Sequence, residues 1–238
     1  MKTYFTENFT SVDPGLTPDP FSSVTAGGGN TVAASATGGV SNGPSMLCTF
    51  AGVGANAFGQ KVLAAISLSS GALFLLLKVN PQLLINGGNF ANVCGLRSAG
   101  VNILEVRWVA DTIDATTGVF WLWDTVAGVG VASMQVRASN TLHTMKVSIK
   151  KNGVCKLYFG GAVLPEATLT LAAPVSTING FRIGCFSATL APLVTSTLTY
   201  DDVILKQEIN SGEFSTISDG SSFDMKTIPG FVVGAFDG

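Results

Sequence analysis

The stretch from Leu142 to Gly161, LHTMKVSIKKNGVCKLYFGG, constrains the fold more than any other part of the chain. Met145, Val147 and Ile149 alternate with Lys146, Ser148 and Lys150. Side chains repeat every second residue only in an extended strand, so this one has an apolar face and a polar face. Asn152-Gly153 interrupts the pattern. Both residues tolerate positive φ, and the pair predicts a type I′ turn leading into a second strand from Val154 to Phe159. Gly160-Gly161 predicts another tight turn.

Similar pieces recur along the chain. Strands are expected near residues 4–9, 31–36, 45–51, 61–68, 72–79, 91–97, 101–110, 118–124, 131–137 and 167–171, and in the late pieces FRIGCF and STLTYDDVILKQ. In 101–110, Glu105 and Arg107 fall on one face and Leu104, Val106 and Trp108 on the other. Almost nowhere do apolar residues recur at i, i+3, i+4 and i+7 between caps, so very little helix is expected. Many short strands with turns between them predict an all-β sandwich of two antiparallel sheets.

The composition narrows the class further. Charged residues make up 12% of the chain, about half the share of an ordinary soluble domain. Either few charges keep the surface in solution, or other chains cover part of it. The net charge is −2 and the basic residues are scattered, which leaves no electrostatic footprint for nucleic acid. The opening MKTYFTENFTS lacks the apolar run of a signal peptide. The uncharged run 62–77 is short and broken by Ser69-Ser70-Gly71, so no membrane span is expected. Cys48, Cys94, Cys155 and Cys185 have no metal or redox spacing and are expected as buried thiols.

Residues 1–207 read as one sandwich, loop-rich up to residue 45. Residues 208–238 change character: polar and Gly/Ser-rich, they carry Phe214, Phe223, Ile228, Phe231, Val232 and Phe236 at irregular intervals. These side chains need somewhere to bury, which makes the segment a candidate assembly arm docking on a neighbouring subunit. The alternative is that it packs back on its own sandwich.

The order Leu142-His143, Val147, Asn152-Gly153, Leu157-Tyr158-Phe159-Gly160-Gly161 and Asp201-Asp202-Val203 resembles the concanavalin A-like, laminin-G-like jelly rolls. Their strands often read WH, V, NG, LYVDG and DDV in that order. The resemblance spans roughly residues 45–207 and implies a jelly-roll β-sandwich. It also implies a site for a structural calcium ion, because an Asp near this place in similar sandwiches, sometimes with an acidic residue of the first strand, supplies oxygen ligands. The corresponding residues are Asp201, Asp202 and Glu7. In the alternative, one Asp caps backbone N–H groups and the other is solvated. No other cofactor is implied.

Familiar catalytic sets are missing from the sequence. The single histidine, His143, has no G-x-S-x-G elbow to serve. The paired carboxylates of concanavalin A-like glycoside hydrolases, E-x-D-x-x-E, are approached only by Asp111 and Asp114. The Gln-x-His of alginate-lyase-like relatives does not occur. Trp121 and Trp123 lie two apart on one strand face, the spacing of a sugar-stacking platform, with Arg107 and Asp124 as its polar partners. Core filling is the commoner fate of such a pair.

These features lead to the expectation of a non-catalytic structural or accessory protein. The resemblance points to a bacteriophage virion surface component such as a capsid decoration protein, head fibre or tail appendage. Such a protein forms a homo-oligomer, as a trimer, on a major capsid protein. The second reading is a carbohydrate-binding, lectin-like module that recognises host-surface glycans. A glycan lyase or glucanase requires a carboxylate pair assembled from distant strands.

Overall fold

The alternating segments pair much as expected in the computed structural model, which describes residues 1–18, 20–50, 56–82, 90–111, 114, 116–186 and 195–208. The arm residues Phe214, Phe223, Ile228, Phe231, Val232 and Phe236 lie outside the described residues. The first eight strands are β1 (Lys2–Glu7), β2 (Ser23–Ala26), β3 (Thr31–Ser35), β4 (Ser45–Phe50), β5 (Ala57–Ser67), β6 (Leu73–Gln82), β7 (Phe90–Ser98) and β8 (Val101–Ala110). The remainder are β9 (Thr117–Asp124), β10 (Val129–Ala132), β11 (Arg137–Ala138), β12 (His143–Ile149), β13 (Val154–Phe159), β14 (Ala167–Thr170), β15 (Thr177–Cys185) and β16 (Ser196–Gln207).

Sheet one runs β14-β13-β12-β6-β16-β4-β3, with β1 also on β16; sheet two runs β10-β9-β8-β7-β15-β5-β2, with β11 also on β9. Neighbours such as β6 and β16 are distant in sequence and pair antiparallel. The result is a concanavalin A-like jelly-roll sandwich. Its core forms where apolar faces meet. Leu73, Leu75 and Leu77 of β6, with Met145, Val147 and Ile149 of β12, join Leu104, Val106 and Trp108 of β8, Phe120 and Leu122 of β9, and Phe181 and Ile183 of β15. Cys48, Cys94 and Cys155 are buried in the same core, and burial pushes the Cys155 thiol up to about 12, so these thiols behave as small apolar side chains.

The Asn152-Gly153 turn forms, but not as type I′. Of the pair only Gly153 has positive φ, 79°. Its N–H donates to the Lys150 carbonyl at 2.9 Å, and the Lys150 N–H donates to Val154 at 3.1 Å. This is a three-residue loop, a type I turn closed by a left-handed glycine. The Asn152 side chain instead accepts the Val154 N–H at 3.2 Å. The mirror-image turn falls at Gly160-Gly161, where both residues have positive φ, 58° and 79°. The first strand also ends earlier than its apolar pattern suggests. The Glu7 carboxylate accepts the Phe9 N–H at 2.5 Å, Phe9 turns to a φ of 59°, and its ring enters the core beside Phe21.

Sheet two contains one irregularity that matters for the rest of the molecule. Asn92 pairs with Arg107 and Cys94 with Val106, leaving Val93 as an extra residue in β7. Such a bulge reverses the alternation beyond it. The Val93 carbonyl accepts the buried Tyr200 hydroxyl of sheet one at 2.6 Å, and that oxygen in turn accepts the Gly184 N–H of β15 at 3.0 Å. Replacing Tyr200 by Phe strands both backbone groups in the core. The expected cost is about 1–3 kcal/mol, read as a lower urea midpoint at unchanged slope; an unchanged midpoint assigns the bridge no stabilising role.

Candidate functional site

The face of sheet two that points away from the core carries the groups of chemical interest. Cross-strand register aligns Gly130, Trp123, Glu105, Gly95, Arg182, Gln60 and Ser23 in one row from β10 to β2. A second row holds Trp121, Arg107 and Asn92. Arg97 stands beside Gly180 on the other flank. Strand spacing is about 4.8 Å, so Trp123 and Gln60, four strands apart, are separated by roughly 19 Å.

Glu105 organises the middle of this face. Its Oε2 accepts the Asn92 Nδ2 at 2.7 Å and the Arg107 Nη2 and Nε at 2.8 and 3.0 Å, while its Oε1 accepts Asn102 at 3.4 Å. The Arg107 guanidinium is thereby held flat, 4.0 Å from the Trp123 ring centre and 4.2 Å from that of Phe90. The indoles of Trp121 and Trp123 close over Gly130, where a Cβ would come within 2.6 Å of the Trp123 ring and 3.2 Å of the Trp121 ring. Phe90, Arg107, Val109, Trp121 and Trp123 line a cleft of about 240 Å³. Further along, the Arg182 Nε donates to the Gln60 Oε1 at 2.8 Å, and its guanidinium lies 4.6 Å from the Phe58 ring centre. Burial and then the neighbouring Arg97 charge lower the Arg182 pKa, against the opposing pull of Glu105.

Several polar atoms on this face have no hydrogen-bond partner among the described residues: the Asn92 and Asn102 Oδ1, the Arg97 Nε and the Trp121 Nε1. Buried groups of this kind are ordinarily satisfied, and leaving them unmade costs free energy. A larger cleft of about 580 Å³ lies at one end of the sandwich between Leu68, Lys150, Val175 and Glu208. It gathers no comparable set of groups.

The residues singled out from sequence divide sharply. Trp121, Trp123 and Arg107 come together on the outward face rather than filling the core. Asp124 does not join them. As the next residue after Trp123 it points to the opposite side of β9, is 1% exposed, and accepts the N–H groups of Val126, Ala127 and Ala172. Burial pushes its carboxyl up, but these three donors outweigh burial and hold it below its ordinary value.

The three carboxylates of the calcium expectation each have other partners in the structure. Glu7 accepts the Phe9 N–H, and Asp201 accepts the N–H groups of Val40 and Asp202. Asp202, in a bulge at a φ of 48°, is ion-paired with Lys78. The three carboxylates thus serve separate local partners, and no group of three or more metal-ligating side chains occurs among the described residues.

Other residues of the outward face were not picked out from the sequence. Asn92, Arg97, Arg182 and Gln60 lie on three strands, β7, β15 and β5, that only the register brings together. Arg182 left one local sign, a cation between Phe181 and Ile183 in an apolar strand. His143 is elsewhere, in the core, packed with Trp108, Phe120 and Phe159 and hydrogen-bonded to the Ala138 carbonyl at 3.1 Å.

No protein-family model matches the sequence, and no curated protein does. Solved structures with the same architecture do exist. The cellulose-induced protein Cip1 superposes with a TM-score of 0.61 at 13% identity, over 86% of this chain and 98% of that one. The marine PL7 alginate lyase AlyA1 from Zobellia galactanivorans gives 0.53 at 12%, over 82% and 85%. The alginate lyase from Klebsiella pneumoniae gives 0.53 at 8%, over 69% and 81%. What is shared at these identities is the concanavalin A-like fold. The neighbours nevertheless overturn two expectations. They are a cellulose-induced protein and alginate lyases rather than phage structural components, so the virion reading does not stand. The same sandwich carries lyases, so a missing sequence motif does not make this chain a non-enzyme.

Burial, reinforced by the Arg137 charge, lowers the His143 pKa, against the Ala138 carbonyl's pull. Unfolded histidine titrates near 6.5. As pH falls below that value the unfolded chain binds a proton the folded chain refuses, so stability present above about pH 6.5 is lost down to the folded pKa. Thermal midpoints measured against pH are expected to fall more steeply over that range for the native chain than for His143→Phe; equal slopes would show that the buried ring does not titrate differently.

Proposed function

We propose that this chain is a polysaccharide-interacting protein and that the glycan lies across the strands on the outward face of sheet two. The observation carrying this reading is the Trp121–Trp123 pair. Two adjacent indoles stand outside the core, held by Gly130 beneath them and by the Arg107 guanidinium stacked on Trp123. Sugar rings present apolar C–H faces that pack on indole, while their hydroxyl groups pair with amide and guanidinium groups. Asn92, Asn102 and Arg97 place amide and guanidinium groups on the same face beside the platform. Rows of side chains crossing several strands suit an extended polymer rather than a compact metabolite.

Tryptophan fluorescence reads the interaction directly. Trp108 is fully buried, so quenching on titration with polysaccharides reports on Trp121 and Trp123. At least one glycan in a panel of neutral and acidic polymers is expected to quench, and Trp121→Ala or Trp123→Ala to weaken binding about 2- to 10-fold each. Release of reducing ends or unsaturated sugars, followed in the same incubation, distinguishes binding with cleavage from binding alone. Absence of both quenching and binding across the panel overturns the reading.

A further inference from the structure

On the β7–β15 ladder each arginine faces a glycine: Arg97 pairs with Gly180 and Arg182 with Gly95. The two side chains are diagonal neighbours on the outward face; on their other ladders Arg97 faces Asn102 and Arg182 faces Gln60, neither of which carries a counter-charge. The nearest carboxylate, Glu105, is already committed to Asn92, Arg107 and Asn102. Three guanidinium groups, Arg97, Arg107 and Arg182, thus stand around this one carboxylate.

The pair is also partly held in place. The Arg182 Nε is anchored on Gln60, and its plane lies near the Phe58 and Phe186 rings, 4.6 and 5.7 Å from their centres. Arg97 is tied to the Gly100 carbonyl through Nη2, while its Nε, a buried donor, has no partner. Two like charges brought together with no ion-paired carboxylate among the described residues form an arrangement that an anion stabilises, because guanidinium groups bind planar oxyanions through paired hydrogen bonds.

We infer that Arg97 and Arg182 form a subsite for an anionic substituent, a carboxylate or sulfate group, carried by a sugar lying across β7 and β15. This rests on the polysaccharide reading of the face and adds the ligand's charge and minimum length. From Trp123 to Arg182 is three strand steps, about 14 Å. A single sugar cannot span that distance, so an oligosaccharide is required to engage the indoles and the arginine pair together.

The test uses the full chain and two matched pairs of polymers: polygalacturonate with its methyl ester, and dextran sulfate with dextran. At low salt the charged member of at least one pair is expected to bind about tenfold or more tightly than its neutral partner. The pair that shows this preference identifies the group as carboxylate or sulfate. Arg97→Gln and Arg182→Gln are expected to reduce that charged-to-neutral ratio about tenfold, weakening the charged polymer more than the neutral one. Arg182→Lys, which keeps the charge and loses the planar fork, should lower the ratio by less and provides a readout if a glutamine variant fails to fold. Trp121→Ala should weaken charged and neutral polymers alike.

A ratio near one in the native chain, or one that survives both glutamine substitutions, overturns the subsite. If the arginine variants act as expected while Trp121→Ala and Trp123→Ala change nothing, the indole platform fails and the anion subsite stands. The two readings therefore fail separately.

Discussion

The Tyr200 hydroxyl is the contact on which the outward face of sheet two depends. It sits between the sheets, donating to Val93 and accepting from Gly184, and so ties β16 of sheet one to β7 and β15 of sheet two. Both partners are local irregularities: Val93 is the extra residue of the β7 bulge, and Gly184 has a φ of 106°. Irregular backbone in a dry core is tolerated only when its polar groups are satisfied. By satisfying them, the phenol holds β7 and β15 in the register that sets Arg97 against Gly180 and Arg182 against Gly95. An interaction in the core thus determines what the opposite surface of the sheet presents.

That surface combines rigidity with incomplete satisfaction. Glu105 fixes Arg107, Asn92 and Asn102, and stacking fixes Arg107 against Trp123 and Phe90. Little side-chain freedom remains to be lost on binding, which favours affinity. The polar atoms left without partners, and Arg97 and Arg182 without an ion-paired carboxylate among the described residues, are stability forgone on this face. The fold by itself does not specify this. Solved jelly rolls of the same architecture include alginate lyases and a cellulose-induced protein, and chemistry in such a scaffold resides in the side chains placed on a sheet face.

Several local features were legible beforehand. Alternation in β8 put Glu105 and Arg107 opposite Leu104, Val106 and Trp108, and the structure agrees. Spacing placed Trp121 and Trp123 together, although it could not decide between core and surface. Asp124 was misplaced by sequence proximity: one residue beyond Trp123 is the opposite face of a strand, and there it caps loop N–H groups. The Asp201-Asp202 pair suggested a cation because similar sandwiches carry an ion-binding Asp near this place. In the folded chain they diverge at the bulge, one toward the Val40 N–H and the other toward Lys78.

By itself the sequence determined the elements and the class. Period-two alternation, turn residues and the scarcity of helical spacing are local properties, written in neighbouring residues and set by backbone sterics, and they sufficed for a sandwich of two antiparallel sheets, while the jelly roll came from the resemblance of its short motifs to a known family. Only the tertiary structure decided which faces look inward and which distant residues meet. Asn92 and Arg97 are five apart, an odd spacing that alternation assigns to opposite sides, yet Val93 bulges out and returns both to one face. Arg97 and Arg182 are far apart in the chain and become neighbours through the pairing of β7 with β15. Such pairings are chosen by the fit of two apolar faces and the satisfaction of buried backbone groups, a global condition that no short stretch of sequence contains.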